Sequence, residues 1–297
     1  MSNILISIIV ATYRREKELC TALNSISTQS YSPLEIVIVD DNSDSKWNDT
    51  VSGIVNLFAN NNPHLSVKYI CNTENLGSAR SRNVGIDNSI GDYICFLDDD
   101  DVYLPDRVMN QVKEMVSKDA DYSLTDLKLY TQSDKLVETR HHEYLTNCST
   151  DSLLKLHLMH HLTGTDTMMF SRDYLFNIGC FSPIDIGDEF YLMQKAIEGG
   201  GQFVYLPICD VKAYVHTVDS GLSSGIGKIN GENELFEHKK KYFDRLDNKT
   251  IRYIKMRHYA VLAYAHLRMK CFSKFMSNAL LSFISAPIEC MKLFLGR

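Results

Sequence analysis

The chain has 297 residues, of which 44% are hydrophobic and 23% are charged. This is the composition of an ordinary globular protein, and it excludes a disordered, collagenous or polytopic membrane chain. The eight cysteines form no C-x-x-C pair, which argues against a zinc knuckle or a disulfide framework and favours reduced thiols. The first apolar run, at 4–11, precedes Arg14 and Arg15, the reverse of the order in a signal peptide, so we expect a cytoplasmic protein.

Charge is divided unevenly between the main body and the C-terminal tail. Residues 251–297 contain 8 basic and 1 acidic residues, a net charge of +7, whereas residues 1–250 contain 23 basic and 36 acidic residues, a net charge of −13. Proteins that bind nucleic acids usually present a basic surface to them. The acidic main body therefore argues against a nucleic-acid partner.

Four short apolar runs in the first half have the length of strands, at 7–11, 36–40, 67–71 and 93–97. Because most of them are apolar at consecutive positions, we expect both faces of these strands to be covered. Helical patterns lie between and after them, at 16–27, 50–60, 79–89 and 105–118. This alternation predicts a largely parallel sheet, in which ligands bind beyond the carboxyl ends of the strands.

The second half is less regular. The pattern predicts strands at 122–130, 167–171, 203–206 and 212–216, and a helix at 189–198 that ends at three glycines. From about residue 232 the pattern is helical almost to the end. We therefore predict an α/β domain over residues 1–225 and a helical region over residues 226–297.

Acidic residues follow two of the predicted strands. No G-x-x-x-x-G-K-[ST] loop and no G-x-G-x-x-G turn follows the first strand, which argues against a P-loop phosphotransferase and a Rossmann dehydrogenase. The second strand runs into DDNS at 40–43, and the fourth runs into four aspartates at 98–101. Four consecutive carboxylates repel one another, so we predict a divalent cation and an anionic diphosphate among them.

Four motifs in this order and spacing resemble the family 2 glycosyltransferases. They are IIVATYRR at 8–15, IVDDNS at 38–43, NLG at 75–77 with the helix at 79–85, and FLDDDD at 96–101 with LPD at 104–106. The resemblance covers roughly residues 5–220. It implies a GT-A-type, mostly parallel sheet flanked by helices, here followed by a C-terminal helical region.

The resemblance also implies an activity. The family transfers a sugar from a nucleoside diphosphate donor, here expected to be a UDP-sugar, with inversion at the anomeric carbon. The expected acceptor is a hydroxyl of a cell-surface polysaccharide or of a lipid-linked oligosaccharide. A divalent metal, Mn²⁺ or Mg²⁺, is the expected cofactor, because it stabilises the charge that the leaving diphosphate gains.

Several residues match positions at which the family binds the nucleotide. Thr12 and Tyr13 match residues that hold the nucleotide, Tyr13 by packing on the base. Asp40 matches the carboxylate that accepts a hydrogen bond from a uracil-like imide N–H. Arg82 matches an arginine beside the donor diphosphate. The alternative for the segment after the second strand is a turn in which Asp41 or Ser43 caps a helix.

The acidic run matches the D-x-D motif of the family. The match places Asp98 on the donor sugar or ribose, Asp99 among the substrate-binding residues and Asp100 on the metal. A late histidine, His216, matches one that completes the metal or diphosphate site in some members. The alternative is that Asp99 or Asp101 caps the helix that follows.

The family uses an aspartate at the start of a later helix as the general base, normally the second residue of a Glu-Asp pair. Here the order is reversed, as Asp188-Glu189. Counting back from Leu192, Lys195 and Gly200 places Glu189 at the base position, and helical geometry turns Asp188 about 100° away from that face. Asp188 stays open as the base or as the helix N-cap.

Two other function classes stay open. A nucleotidyltransferase that makes a sugar nucleotide uses a similar sheet and metal site, but its Gly-rich loop with Arg and Lys is missing after Ala11. A non-catalytic subunit that binds a glycan or a nucleotide could also carry an acidic run.

The C-terminal tail combines its positive charge with many apolar residues. Residues 275–291 are apolar apart from serines, Asn278 and Glu289, and Pro287 interrupts them, so the segment is poorly suited to span a bilayer. One interpretation is peripheral association of basic amphipathic helices with the inner face of the plasma membrane. The other is that these helices pack on the rest of the protein or on another subunit.

Overall fold

The computed structural model describes residues 4–184, 186–215 and 225–295. They fall into two compact units, the first within residues 1–150 and 162–215 and the second within residues 151–161 and 216–297. Residues 216–224 lie outside the described part of the chain, so the boundary expected at residue 225 stays a prediction.

The strands of the first unit form two sheets. Their bounds are β1 Ile6–Thr12, β2 Leu34–Asp40, β3 Ser66–Cys71, β4 Tyr93–Phe96, β5 Val102–Tyr103, β6 Tyr122–Thr125, β7 Leu127–Thr131, β8 Leu136–Arg140, β9 Met168–Ser171, β10 Phe203–Leu206 and β11 Val211–Val215. The main sheet has seven strands in the order β10-β6-β9-β4-β1-β2-β3. A smaller sheet has the order β5-β11-β7-β8.

The main sheet is mostly parallel. β1 pairs in parallel with β2 and β4, β2 with β3, and β6 with β10. The exception is β9, which lies antiparallel between β4 and β6. β1 and β2 are buried along almost their whole length, as their continuous apolar runs predict. The predicted, largely parallel sheet is confirmed. The antiparallel direction of β9 was not predicted.

Helices alternate with the strands in the first unit and make up the C-terminal part of the chain. Their bounds are α1 Lys17–Ser27, α2 Ser45–Asn61, α3 Ser78–Asp87, α4 Arg107–Ser117, α5 Thr150–His160, α6 Arg172–Asn177, α7 Asp188–Glu198, α8 Gly225–Lys240, α9 Asn248–Arg268, α10 Phe272–Ser285 and α11 Pro287–Leu295. The predicted C-terminal helical region is confirmed by α8 to α11.

The main sheet is covered by helices on its two faces. Ile8 and Val10 of β1 belong to a core that includes buried residues of α1, α2 and α4. On the other face α3 lies so close that a Cβ at Gly85 would come within 2.4 Å of the Ile9 side chain. The sequence places a glycine where the helix backbone must approach the sheet.

The single strand predicted at 122–130 is wrong. The chain forms β6 and β7 there, which belong to different sheets. Between them Asp126 is buried, and its carboxylate accepts hydrogen bonds from the Tyr205 hydroxyl at 2.6 Å and from the His142 N–H at 3.2 Å. These bonds fix the connection between β6 of the main sheet and β7 of the smaller sheet.

In the second unit α10 and α11 fold back on α9. Met256, Ala286 and Cys290 form a small buried cluster there. Among the described helices, none alone combines the length and the apolar composition needed to cross a membrane. The α10–α11 pair meets that test only when the two are taken together, and it is bent by 120°.

Candidate active site

The carboxyl ends of β1, β2 and β4 bring the predicted residues to one edge of the sheet. Thr12 pairs in register with Asp40, and the Leu97 N–H donates to the Ile9 carbonyl at 3.0 Å just before the acidic run. The Thr12 hydroxyl donates to Asp99 at 2.7 Å. Residues far apart in the sequence therefore form one polar cluster, as the strand pattern predicts.

Asp40 is fully buried at the end of β2. One carboxylate oxygen accepts from the backbone N–H and the side-chain amide of Asn42, at 2.9 and 2.7 Å. The other accepts from the Tyr69 hydroxyl at 2.7 Å, and burial, followed by this bond, raises the pKa of Tyr69. These bonds fix the orientation of the Asp40 carboxylate at the end of β2.

The alternative in which Asp41 or Ser43 caps a helix does not hold. Asp44 is the N-cap of α2, and its side chain accepts from the Trp47 N–H at 3.1 Å. Asp41 instead accepts from the backbone N–H groups of Leu76 and Gly77, at 2.8 and 2.9 Å. It ties the segment after β2 to the start of α3.

The residues after β1 face the middle of the acidic run. Asp99 accepts from Thr12 and lies 3.4 Å from the Arg15 guanidinium, which also forms an ion pair with Asp100. Burial raises the pKa of Asp99 to about 7, against the opposing effect of Arg15. Tyr13 is 43% exposed, so its ring is available to a planar ligand.

Arg82 on α3 connects the acidic run to α7. Its two terminal nitrogens lie 2.6 Å from carboxylate oxygens of Asp98 and Asp188. Arg82 and Asp188 are both buried, and the Arg82 guanidinium lies over the Phe181 ring at 5.4 Å. The predicted diphosphate-binding arginine is thus fixed beside Asp98.

Asp98, Asp101 and Asp166 form a second group within this cluster. Each offers a carboxylate oxygen within 4.8 Å of the others. The Asp98 N–H donates to Asp166 at 2.7 Å, and burial, followed by the charge of Asp98, raises the pKa of Asp166 to about 7. Burial also raises the pKa of Asp98 and of Asp101. Three crowded carboxylates are a suitable donor set for a hard divalent cation such as Mg²⁺ or Mn²⁺.

The predicted metal ligands differ from this group. Asp100 forms an ion pair with Arg15, and His216 lies outside the described residues. Asp101 accepts from the Tyr214 N–H at 2.9 Å and does not cap a helix, since the N-cap of α4 is Asp106. The assignment of Asp100 and His216 to the metal stays a prediction.

The two candidate bases lie at the start of α7. Gly187 is the N-cap, with a φ of +76° that suits glycine, so Asp188 is the first helical residue and not the cap. Asp188 forms an ion pair with Arg82, which it shares with Asp98, and it also accepts from the Glu189 N–H at 3.1 Å. Burial, followed by the charge of Asp188, raises the pKa of Glu189 to about 7. The two carboxyls therefore have different electrostatic environments.

The sequence interpretation missed the contributions of Asp166 and Arg15. Asp166 lies in a 3₁₀ turn, Thr165–Thr167, directly before β9, and reaches Asp98 because β9 pairs with β4. The polar residues before the predicted strand can be read from the sequence. The antiparallel pairing of β9 with β4, which brings Asp166 to the site, cannot. Arg15 was visible in the first motif without an assigned partner.

Comparisons with known proteins agree with this geometry. The family model described as Glycosyl transferase family 2 matches residues 7–176, more than half of the chain. An uncharacterized glycosyltransferase of Haemophilus influenzae is 33% identical over 156 residues, which are 49% of this chain and 58% of that protein. The amylovoran biosynthesis glycosyltransferase AmsB of Erwinia amylovora is 31% identical over 114 residues, 38% of this chain and 36% of AmsB. For the first two curated relatives, both from Rickettsia, the match spans only 21% of their length.

Solved structures share the fold. S. aureus TarS 1–349 in complex with UDP-GlcNAc has a TM-score of 0.59 at 16% identity, covering 94% of this chain and 91% of that one. The mannosyltransferase PcManGT from Pyrobaculum calidifontis, in complex with GDP-Man and Mn²⁺, has a TM-score of 0.59 at 16% identity, covering 96% and 86%. The expected GT-A-type architecture is confirmed. With the matched motifs at the strand ends and the family model over most of the first unit, the chain belongs to glycosyl transferase family 2.

Proposed function

We propose that the chain is an inverting, metal-dependent glycosyltransferase that moves one sugar from a nucleoside diphosphate donor to an acceptor hydroxyl. One observation carries the proposal. Arg82 forms ion pairs both with Asp98, which lies in a carboxylate group with Asp101 and Asp166, and with Asp188 at the start of α7, the helix that carries the candidate base. A cation-binding group and a proton acceptor on one edge of a nucleotide-binding sheet are what such a transfer needs.

The donor is proposed to lie across the ends of β1 and β2. Tyr13 would stack on the base, Thr12 would contact the nucleotide, and Asp40 would accept a hydrogen bond from an imide N–H, which favours a uracil base and hence a UDP-sugar. Support comes from the fixed orientation of Asp40 at the carboxyl end of β2 and from the exposed ring of Tyr13. Relatives of the fold bind UDP-GlcNAc and GDP-Man, which supports a nucleotide sugar without selecting the sugar.

Asp98, Asp101 and Asp166 would hold Mn²⁺ or Mg²⁺, with Asp100 and His216 kept as candidate ligands from the motif match. The bound ion supplies Lewis-acid stabilisation of the charge on the departing diphosphate. Arg82 would keep Asp98 in place and present positive charge to the diphosphate.

We assign the general base to Glu189 and a positioning role to Asp188. Asp188 forms an ion pair with Arg82, whereas in the described part of the chain no arginine forms an ion pair with Glu189, and the pKa of Glu189 is raised to about 7. In the reaction the acceptor oxygen attacks the anomeric carbon while the bond to the diphosphate oxygen breaks, with its electron pair leaving on the diphosphate. Glu189 takes the hydroxyl proton.

The acceptor is proposed to be a glycan or lipid-linked oligosaccharide of a surface polysaccharide. AmsB is named for amylovoran biosynthesis, which supports a role in making a polysaccharide. The proposed localisation is cytoplasmic, at the inner face of the plasma membrane.

Replacing Glu189 with Gln tests the proposal. We expect Glu189→Gln to lower kcat by at least about 10²-fold while the donor dissociation constant with Mn²⁺ changes less than about threefold, because only the proton acceptor is lost. Glu198→Gln, an exposed change on the same helix, should leave both unchanged. UDP release with a mixed acceptor pool measures turnover.

Full activity in Glu189→Gln would contradict the base assignment. We expect Asp188→Asn to lose both activity and donor binding. We expect Glu189→Gln to lose turnover and to keep donor binding. Consumption of nucleoside triphosphates in place of sugar diphosphates would contradict the transferase proposal as a whole.

A further inference from the structure

The helices α10 and α11 present their large apolar side chains outward. On α10 these are Phe272, Met276, Leu280, Phe283 and Ile284, each between 46% and 64% exposed, and Leu281, which is 40% exposed. At 100° per residue the first five fall within an arc of about 120°, and Leu281 lies about 60° beyond it. We call this arc, with its continuation on α11, the outward face.

The side of α10 that packs inward is mostly small or polar, with half-buried Phe275 as its large apolar residue. Ser282 is fully buried, and its hydroxyl donates to the Met256 carbonyl of α9 at 2.9 Å. Ala286 is buried just after the helix, and Asn278 and Ala279 are half-buried. A helix on the surface of a water-soluble domain shows the opposite arrangement, with its apolar stripe inward and its polar residues in water.

The outward face continues on α11. Ile288, Met291, Phe294 and Leu295 are between 54% and 81% exposed, while Cys290 is buried toward α9. Single exposed apolar residues are common, but contiguous apolar surfaces on two successive helices mark an interaction site.

Charge identifies the partner. α10 contains no Asp or Glu, and the exposed lysines Lys270, Lys274 and Lys292 lie before or among the outward apolar residues. Residues 270–295 contain these three lysines and one acidic residue, Glu289, which gives a net charge of +2. An apolar surface with lysines beside it matches the boundary between the acyl chains and the anionic head groups of a bilayer.

Helix length and shape favour a position along the membrane. α10 has 14 residues and is about 21 Å long, less than the roughly 30 Å hydrocarbon core. The chain then turns by 120° into α11. Two short helices joined at such an angle do not form one straight span, which favours a position at the surface of one leaflet.

We infer that the outward face of α10 and α11 binds the surface of an anionic phospholipid bilayer. This inference is independent of the proposed transfer reaction, because it concerns residues of the second unit only.

Vesicle co-sedimentation of the full chain tests it. We expect the protein to bind vesicles of phosphatidylcholine with about 30% phosphatidylglycerol and to bind pure phosphatidylcholine vesicles at least about tenfold more weakly. The triple variant Met276→Gln/Leu280→Gln/Ile284→Gln should lower binding to the anionic vesicles by more than about tenfold. Leu57→Gln/Ile90→Gln, which changes two residues of the first unit that are 63% and 72% exposed, should bind as the original chain does.

Charge is tested separately. Lys270→Glu/Lys274→Glu should weaken binding to anionic vesicles, whereas Lys46→Glu/Lys113→Glu on exposed positions of α2 and α4 should have little effect. Because all these positions are exposed, we expect the variants to keep the melting temperature of the parent chain.

A spectroscopic measurement keeps the test independent of solubility. Trp47 is the single tryptophan, so Trp47→Phe with Leu280→Trp places the only indole on the outward face. Its emission should shift to the blue on addition of anionic vesicles and be quenched by brominated acyl chains. Unchanged emission together with equal sedimentation of the triple variant and the parent would overturn the inference. So would a dimer in the absence of lipid that the triple variant abolishes, since the face would then join two copies.

Discussion

At the scale of single residues, the consecutive aspartates at 98–101 face different partners because the chain turns there. The Asp101 N–H donates to the Asp98 carbonyl at 3.1 Å, as in a β-turn. The turn returns Asp101 to the side of Asp98 and leaves Asp99 and Asp100 facing Arg15. The D-x-D match assigns Asp98 to the donor sugar or ribose and Asp100 to the metal. The geometry instead groups Asp98 with Asp101 and Asp166 as candidate metal ligands.

This difference gives a direct prediction about Mn²⁺ affinity. Asp166→Asn should weaken Mn²⁺ binding at least about tenfold, because it removes a charged oxygen ligand. Asp100→Asn should weaken it less than about threefold, since Arg15 already pairs with that carboxylate. Isothermal titration of each variant with Mn²⁺ measures both. The reverse order of effects would favour the assignment by motif.

The environment of Glu189 predicts the pH dependence of the reaction. A base must be unprotonated to accept a proton, and the pKa of Glu189 is raised to about 7. At saturating donor and Mn²⁺ we therefore expect kcat to rise about tenfold per pH unit below pH 7 and to level off above it. Saturation separates this effect from the titration of Asp99, which would alter donor binding. A rate that is flat from pH 5 to pH 8 would contradict the role of Glu189.

At the scale of elements, sequence reasoning succeeds where burial is continuous. β1 and β2 each have five apolar residues in seven and are buried along almost their whole length, so their pattern predicts them directly. β9 is largely buried, but nothing in its four residues, three apolar ones and a serine, shows that it runs antiparallel between β4 and β6. Asp166 reaches the site through that pairing, which depends on tertiary structure and not on local pattern.

The close packing of α3 on the main sheet positions Arg82 in the candidate site. A Cβ at Gly85 would meet Ile9 at 2.4 Å and Val39 at 3.3 Å, so Gly85→Ala should lower the free energy of unfolding by about 1–3 kcal/mol. It should also weaken donor binding, because α3 positions Arg82 beside Asp98. Chemical denaturation and donor titration measure the two effects.

Gly53→Ala on α2 is the matched control. A Cβ there meets nothing within 4 Å, so the change should raise the free energy of unfolding by about 0.5–1 kcal/mol and leave donor binding unchanged. Equal behaviour of the two variants would show that α3 does not need a glycine at this position.

At the scale of the molecule, the two units carry different surface chemistry. The first unit gathers buried carboxylates and two arginines at the carboxyl edge of a mostly parallel sheet. The second presents apolar side chains and lysines outward from two short helices. The charge pattern of the sequence indicates an acidic main body and a basic, apolar C-terminal tail. The structure shows which side chains contact one another in the first unit and which are exposed in the second.

The most direct test of the account is the position of manganese in crystals soaked with Mn²⁺ and UDP. We expect an anomalous difference peak in contact with carboxylate oxygens of Asp98, Asp101 and Asp166, with the diphosphate on its other side and the uracil ring near Tyr13 and Asp40. Crystals that bind UDP elsewhere, or that show no manganese at these carboxylates under saturating conditions, would contradict it.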